Sequence, residues 1–442
     1  MPSLTRVSYY LLKAMRRLRW DREKLGRYKN ERLRRVVKYA FNNVRFYHEL
    51  FKSSGVYPAD IRTSDDLNKL PVVRKSEMRK SSRTDLISRD FRDRNLKVLG
   101  TGGSTGEPFR FFIDRAEDDW RKAIYLRANV SCGQRLRDRW AAIDVADRPI
   151  DTTYLQRLVG MFVRDVIPVT WSRVSQLEAI ANLNPDILDG FSGVLWLLAK
   201  EAELKGVNSI RPRIIFGSGD LIDQSSRKYL EKVFDAPYHD QFGCAEVDRS
   251  AWQCPERLGY HMDVDSVIMQ FVDKEGEEVG SGERGEIVYT SLFNYAMPFI
   301  RYGTMDVGVP INDECPCERK LPLMKVVEGR SNSFLVFPDG HVVAPMSLIE
   351  TMKAFKLVKE IDQYRVVQKT RNFVEIYVKK ANEKVDEDRI GSWLVANILD
   401  GLPRVEKVDL SQVTFEVKFV DELPLTGRGN LSVVVSHVQA FS

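Results

Sequence analysis

From near residue 95 to residue 241, short apolar runs alternate with longer segments of helical spacing, and this alternation limits the chain to folds that build a sheet through crossover helices. The runs fall at 97–99, 109–113, 140–145, 186–188, 214–216 and 237–241, with a helix expected near 115–130. Each of the later runs leads into a helical segment or a polar turn. An α/β sheet follows, with binding sites at the strand ends.

The flanking text has its own character. Residues 4–20 and 28–54 carry apolar groups at helical spacing (Leu33, Val36, Val37, Ala40, Val44, Tyr47, Leu50), and the second segment ends at Ser53-Ser54-Gly55. They are expected to form an N-terminal helical layer. Residues 267–302 turn β-rich, with runs at 267–272 and 286–291 around a charged hairpin at 273–278. After Arg330 the pattern restarts: a strand at 333–337, the turn Pro338-Asp339-Gly340, a helix at 345–355, strands at 363–368 and 373–379, a helix at 387–399, and a strand at 412–419. This βαββαβ-like unit has the size of a domain, so the boundary is set at residues 329–331, giving domains 1–330 and 331–442. No internal repeat is visible.

A chain of 442 residues is expected to hold two or three domains, and 43 % hydrophobic with 29 % charged residues is an ordinary globular balance. The net charge of +6 is local, because residues 1–40 hold 13 Lys/Arg against 3 Asp/Glu and the remainder 55 against 59. A basic segment with Tyr9, Tyr10, Leu11, Leu12, Met15, Leu18 and Trp20 could make peripheral contact with an anionic membrane or touch nucleic acid. The favoured alternative is an amphipathic helix packed on its own body, and the acidic remainder argues against a nucleic-acid partner. Lys13, Arg16 and Arg17 interrupt any signal-peptide core, and no stretch approaches the roughly 20 apolar residues of a membrane span. A cytoplasmic location is expected. Five cysteines, an odd number, argue against a disulfide framework.

The sharpest local signal is Thr101-Gly102-Gly103-Ser104-Thr105-Gly106-Glu107-Pro108, set between two apolar strands. Such a loop offers backbone N–H groups and small hydroxyls to a polyphosphate. It lacks the Gly-Lys-Ser/Thr of a Walker loop and the G-x-G-x-x-G of a dinucleotide turn, and a glycine-rich hairpin turn is the plain alternative. Downstream come Phe216-Gly217-Ser218-Gly219-Asp220, Asp240-Gln241-Phe242-Gly243-Cys244-Ala245-Glu246, Ile300-Arg301-Tyr302-Gly303-Thr304-Met305-Asp306 and Glu328-Gly329-Arg330.

In this order the motifs resemble those of the adenylate-forming superfamily of acyl- and aryl-CoA ligases, most closely its phenylacetate-CoA ligase and CapK-like branch. The lead-in from Leu33 to Tyr47, and Asp66-Leu67 to Leu70-Pro71 followed by Lys75, is similar to that branch. The resemblance implies a large nucleotide- and acid-binding body, residues 1–330, with a small mobile C-terminal domain, residues 331–442. It implies that Thr101, Gly102, Gly103, Ser104, Thr105 and Gly106 hold the ATP phosphates. Gly217, Ser218, Gly219, Asp240, Gln241, Phe242 and Gly243 would line the adenine. Glu246 would ligate Mg²⁺, and Asp306 would accept from the ribose hydroxyls with Arg330 beside it. The residue types suit those tasks, since a carboxylate holds a hard cation against phosphate and offers a diol only acceptors. The plain alternatives are that Glu246 is a surface helix residue and that Asp306 pairs with Arg301.

The implied reaction converts a carboxylic acid and ATP to acyl-AMP and pyrophosphate, then passes the acyl group to CoA, a carrier thiol or an amine, with the small domain rotating about residues 330–333 between steps. Two departures stand out. Ser331, Asn332 and Ser333 replace the acidic hinge that the family carries after its Gly-Arg pair. In Leu423-Pro424-Leu425-Thr426-Gly427-Arg428-Gly429-Asn430, Asn430 stands at the position of the family's terminal lysine, with Arg428 as a conceivable substitute. A catalytically impaired homologue that binds nucleotide or acyl-adenylate is therefore the alternative function. Cys254, His261, Cys315 and Cys317 could complete a tetrahedral structural zinc site. The branch often shows such a Cys-rich element followed by Gly-Arg, where this chain has Glu318-Arg319. Free thiols beside a core histidine are the alternative.

Overall fold

The structure, a computed structural model, describes residues 3–101, 109–145, 152–220, 222–330, 333–357, 359–423 and 433–438. They form two compact units: Met1–Arg137 with Asp151–Met161 and His239–Val327, and Asp138–Ile150 with Phe162–Tyr238 and Glu328–Ser442.

In the first unit the helices Leu4–Arg17, Arg22–Asn43 and Arg45–Ser53 make the N-terminal layer. Asp21 caps the second, its carboxylate accepting from the Lys24 amide at 2.7 Å. The single helix expected over 28–54 is instead two, because Val44 takes an extended backbone between them. That break turns Tyr47 and Phe51 into the same core as Leu33, Val36 and Ala40. The core also takes in Phe299, Ile300 and Tyr302, so the helical layer grips one of the motifs.

The basic N-terminal helix packs on helix Arg115–Ser131 through Ala14, Trp120 and Ile124, leaving Tyr9 and Leu12 exposed. Arg17 points inward: its Nε lies 2.5 Å from Asp265, while Arg127 bonds Asp263 at 2.5 Å and Asp265 at 2.8 Å, all four side chains being buried. Removing one partner would strand a buried charge, so the network ties the N-terminus to the body.

The strands of this unit run in the order Val267–Val272, Gly285–Ser291, Tyr302–Ile311, Leu323–Arg330, Tyr260–Met262, Asp248–Gln253, Tyr238–Cys244. Val73–Arg74 joins in parallel beside Tyr302 and Gly303. The strands Asp248–Gln253 and Tyr260–Met262 were not expected. They bury Arg249, Ser250, Gln253 and His261, so no apolar run announces them.

The second unit holds four parallel strands ordered Ile214–Ser218, Ile187–Phe191, Trp140–Asp144, Arg164–Pro168. Helices Arg173–Leu183, Ser192–Lys205 and Gln224–Phe234 supply its core residues Leu177, Leu198 and Leu230. Strand Arg164–Pro168 escaped the apolar pattern because it buries only Ile167 and begins with charged residues. The C-terminal part has a separate core around Val366, Ile376, Leu394 and Ile398. Its sheet runs Thr414–Phe419, Phe373–Lys380, Ile361–Thr370, Val434–Ser436, with the outer two strands parallel to their neighbours. The first three match the expected strands; the fourth was not foreseen.

Within this unit Lys200, only 3 % exposed, donates to the carbonyls of Ile361 at 2.5 Å and Asp362 at 3.1 Å, and Arg173 pairs with Asp362 at 2.7 Å. Burial pulls the Lys200 pKa down to about 8, against the opposing pull of Asp362. The charged form is thus disfavoured in the folded state. The stability linked to this depressed pKa is full above the unfolded lysine value, near 10.5, and is lost as pH falls towards 8. Between pH 8 and 9.5 the parent should gain about 2 kcal/mol over a Lys200→Met variant. Paired denaturant unfolding curves at the two pH values check this; parallel curves at both would refute it.

Candidate functional site

Thr101 is buried at the base of the hairpin between strands Lys97–Gly100 and Arg110–Ile113. Its amide donates to the Phe109 carbonyl at 2.9 Å, and its hydroxyl accepts from the Phe109 amide at 3.3 Å. The rest of the loop, with Gly102, Gly103, Ser104, Thr105 and Gly106, lies outside the described residues.

Glu246 sits in the turn after strand Tyr238–Cys244 and is 2 % exposed, so it is not a surface helix residue. Its Oε1 accepts from the Tyr302 hydroxyl at 2.8 Å and lies 3.2 Å from the Lys75 ammonium. Lys75 also donates to the Thr101 hydroxyl at 3.3 Å. Thr101 and Glu246, from separate motifs, therefore meet at one lysine, and Tyr302 from a third motif bonds the same Glu246 oxygen. Arg121 fixes the turn from behind by donating to the carbonyls of Ala245 at 2.9 Å and Glu246 at 2.5 Å. Arg121 is held in turn by the buried Glu117, whose carboxyl burial pushes up to about 7 against the opposing pull of that guanidinium.

Asp306, on strand Tyr302–Ile311, is 7 % exposed. Desolvation, followed by the charges of Glu246 and Asp306, holds the Cys244 thiol well above its ordinary pKa. Arg301 does not pair with Asp306. Its guanidinium donates to the carbonyls of Asn68, Leu70 and Gly276.

On strand Tyr238–Cys244, Asp240 accepts from the Tyr260 hydroxyl at 2.5 Å, and Gln241 turns inward to bond Asn129 at 2.8 Å. Phe242 packs against the core of Val247, Ala251 and Met262. A Cβ at Gly243 would stand 2.1 Å from the Asp248 carbonyl oxygen, so the close hairpin requires glycine there.

In the second unit, Gly217 and Ser218 end strand Ile214–Ser218, and Gly219 follows with φ +80°. A Cβ at Gly217 would lie 1.9 Å from the Tyr238 hydroxyl, which bonds Ser192 at 2.7 Å. Ser218 accepts from the Ser192 hydroxyl through its carbonyl at 3.3 Å. Arg330 ends strand Leu323–Arg330; its side chain, like Asn430 and Arg428, lies outside what is described.

Cys254, His261, Cys315 and Cys317 come together in the first unit, with one ligand atom from each within 4.8 Å of all the others. The Cys254 and Cys315 sulfurs are 3.5 Å apart, and Cys317 Sγ is 3.2 Å from His261 Nε2. Tetrahedral zinc with bonds of about 2.3 Å to sulfur would set sulfurs about 3.8 Å apart, so the spacing and donor set fit. Burial pulls the His261 pKa down to about 4, keeping its ring neutral.

Lys75, the Tyr302 hydroxyl, Arg121 and Tyr260 carried no assigned role in the sequence reading. Tyr302 and Lys75 stood within quoted motifs, but their partners Glu246 and Thr101 lie elsewhere in the sequence, as do the Ala245 and Glu246 carbonyls that Arg121 holds.

No family model matches the chain. It is similar to a phenylacetate-coenzyme A ligase of Thermus thermophilus, 25 % identical over 333 residues covering 73 % of this chain and 74 % of the relative. It is also similar to protein CapK of Staphylococcus aureus, 24 % identical over 430 residues, 93 % of this chain and 89 % of the relative. Among solved structures, 2-hydroxyisobutyryl-CoA ligase in its postadenylation state with 2-HIB-AMP superposes with a TM-score of 0.79 at 19 % identity, covering 96 % and 92 % of the two chains. An anthranilate-CoA ligase bound to anthranoyl-AMP superposes with a TM-score of 0.55 at 15 % identity, covering 76 % and 65 %. The chain thus has the α/β fold of the adenylate-forming CoA ligases, a large N-terminal body with a small C-terminal domain. Its likeness to the phenylacetate-CoA ligase and CapK branch extends over most of its length. No helix among the described residues is long and apolar enough to cross a membrane.

Proposed function

We propose that this protein is an AMP-forming acid ligase that activates a carboxylic acid with Mg-ATP and passes the acyl group to a thiol. The observation that carries the reading is the meeting of Thr101 and Glu246 at Lys75, with Tyr302 bonded to the same Glu246 oxygen, since the three residues belong to motifs separated by 201 positions from first to last. In this reading Thr101, with Gly102, Gly103, Ser104, Thr105 and Gly106, cradles the phosphates. Gly217, Ser218, Gly219 and the strand from Asp240 to Gly243 border the base, and Asp306 takes the ribose, with Arg330 beside it. Mg²⁺ at Glu246 would neutralise phosphate charge as the acid carboxylate attacks the α-phosphate. The chain's own residues hold that carboxylate in place: Arg121 fixes its backbone and Tyr302 its Oε1.

CoA is the acceptor favoured by the phenylacetate-coenzyme A ligase and by both solved ligases; a carrier thiol or an amine is the alternative. The reaction is assigned to the cytoplasm, where ATP is at hand. Cys254, His261, Cys315 and Cys317 would hold a structural Zn²⁺, closed on all four sides and so without a part in the chemistry. Residues 331–442 would move about residues 330–333, parting Asp362 from Arg173 and Lys200.

Asn430 favours one second reading, a binder of nucleotide or acyl-adenylate that has lost the first half-reaction, because asparagine brings no charge to the pentavalent phosphate. Pyrophosphate release with Mg-ATP across aryl, aliphatic and amino acids, run beside an Asn430→Lys variant, separates the two. Acid-dependent release by the parent is expected. Release from the variant alone, or from neither while ATP still binds, would favour the binder.

A further inference from the structure

The buried oxygen Glu246 Oε1 already has a cation beside it. Lys75 Nζ lies 3.2 Å away, and 3.3 Å from the Thr101 hydroxyl at the head of the glycine-rich loop. The lysine is placed by long-range pairing. Strand Val73–Arg74 lies parallel to Tyr302 and Gly303, its Val73 amide donates to the Arg301 carbonyl at 2.8 Å, and a helix starts at Lys75, where the Arg74 amide donates to Glu77 at 2.6 Å. Its stem is not locked, since the Lys75 side chain is 35 % exposed while that of Glu246 is 3 % exposed.

Two cations cannot share one carboxylate oxygen at contact distance without strong mutual repulsion in a buried site. A divalent ion that takes Oε1 competes with the ammonium for it, and a lysine on a flexible four-carbon stem can then turn to the nearest anion. In an enzyme loading Mg-ATP, that anion is the polyphosphate beside Thr101.

We propose that Lys75 is an exchangeable cation of the adenylation site: it neutralises Glu246 in the unloaded enzyme, yields that carboxylate to the divalent metal, and turns to the phosphates of the incoming nucleotide. The inference rests on the acid-ligase reading above and deepens it. It also gives the body a positive charge of its own, in a chain that by the family resemblance carries Asn430 where a terminal lysine is expected.

The exchange has a signature of opposite signs that a merely structural lysine would not produce. In the full-length chain, Lys75→Met should weaken Mg-ATP binding, read by calorimetry, about tenfold to a hundredfold, the range of a lost charge-assisted contact. The same variant should bind Mn²⁺ alone more tightly, read by electron paramagnetic resonance, because nothing competes for Glu246. Lys75→Arg should keep Mg-ATP affinity near the parent, and thermal midpoints should show all three chains folded. If Lys75→Met binds Mg-ATP as the parent does, or loses affinity for Mn²⁺ as well, the inference is overturned. A parent chain that binds no Mg-ATP would instead sink the ligase reading itself.

Discussion

Chelation of the purified protein at neutral pH is expected to remove a single zinc ion and lower the thermal midpoint by about 10 °C or more. The four side chains are already gathered, with Cys254 and His261 buried completely and Cys315 9 % exposed. They join separate stretches, Cys254 after strand Asp248–Gln253, His261 within Tyr260–Met262, and Cys315 and Cys317 in the loop that leads to strand Leu323–Arg330. A bound ion therefore clamps that loop to the sheet. Without it, the three sulfurs lose the ligand bonds that would join Cys315 and Cys317 to Cys254 and His261. Against the desolvation that raises it, Arg319 lowers the Cys317 thiol pKa, which favours the thiolate a metal needs. Cys315→Ser should lose the zinc and reproduce the lower midpoint, while Cys132→Ser, whose sulfur donates to the Gln253 carbonyl at 3.2 Å outside the cluster, should keep it. Metal analysis of the purified chain gives the direct check. Protein that carries no zinc, with a midpoint indifferent to chelator, would return the cluster to free thiols.

The cysteine–histidine cluster and the glycine-bearing motifs were legible for different reasons. Cys315 and Cys317 stand out because thiols two positions apart in a polar loop have few structural uses, and His261 is one of only five histidines. The glycines were legible because close approach leaves no choice, as at Gly217 against Tyr238 and Gly243 against Asp248. Much of the α/β alternation could also be read, since strands such as Ile214–Ser218 bury nearly every residue. What escaped was polar and non-local. Strand Asp248–Gln253 hides Arg249 in bonds to Asn129 and the Ile124 carbonyl, so its burial depends on partners about 120 positions earlier. Arg17 reads as one more surface charge until Asp265 is placed beside it. Lys75 likewise gains its meaning only when Thr101 and Glu246 arrive from elsewhere in the chain. Helix and strand periodicity report which face is apolar, and they are silent about which charges meet.

Glu246→Gln is expected to slow acid-dependent pyrophosphate release about a hundredfold to a thousandfold, the range seen when one preorganised electrostatic group is lost. The substitution is nearly isosteric, and the amide oxygen can still accept from Tyr302, so the turn held by Arg121 should keep its shape. What disappears is the negative charge that, in the proposed reading, would hold a divalent ion. The loss should therefore lie mainly in the catalytic rate and in the metal concentration needed for half-maximal activity, with a thermal midpoint close to the parent. Tyr302→Phe offers the calibration. Burial, and then the Glu246 charge, keep the Tyr302 hydroxyl protonated well above its ordinary range, so it is a permanent donor to that oxygen. Its removal leaves Oε1 with Lys75 alone and keeps the charge, and should cost no more than about tenfold, the worth of one neutral hydrogen bond. Single-turnover measurements across a Mg²⁺ series resolve the two variants. If Glu246→Gln releases pyrophosphate at the parent rate and at the parent's metal requirement, the divalent ion sits elsewhere, and the cluster around Lys75 is scaffold alone.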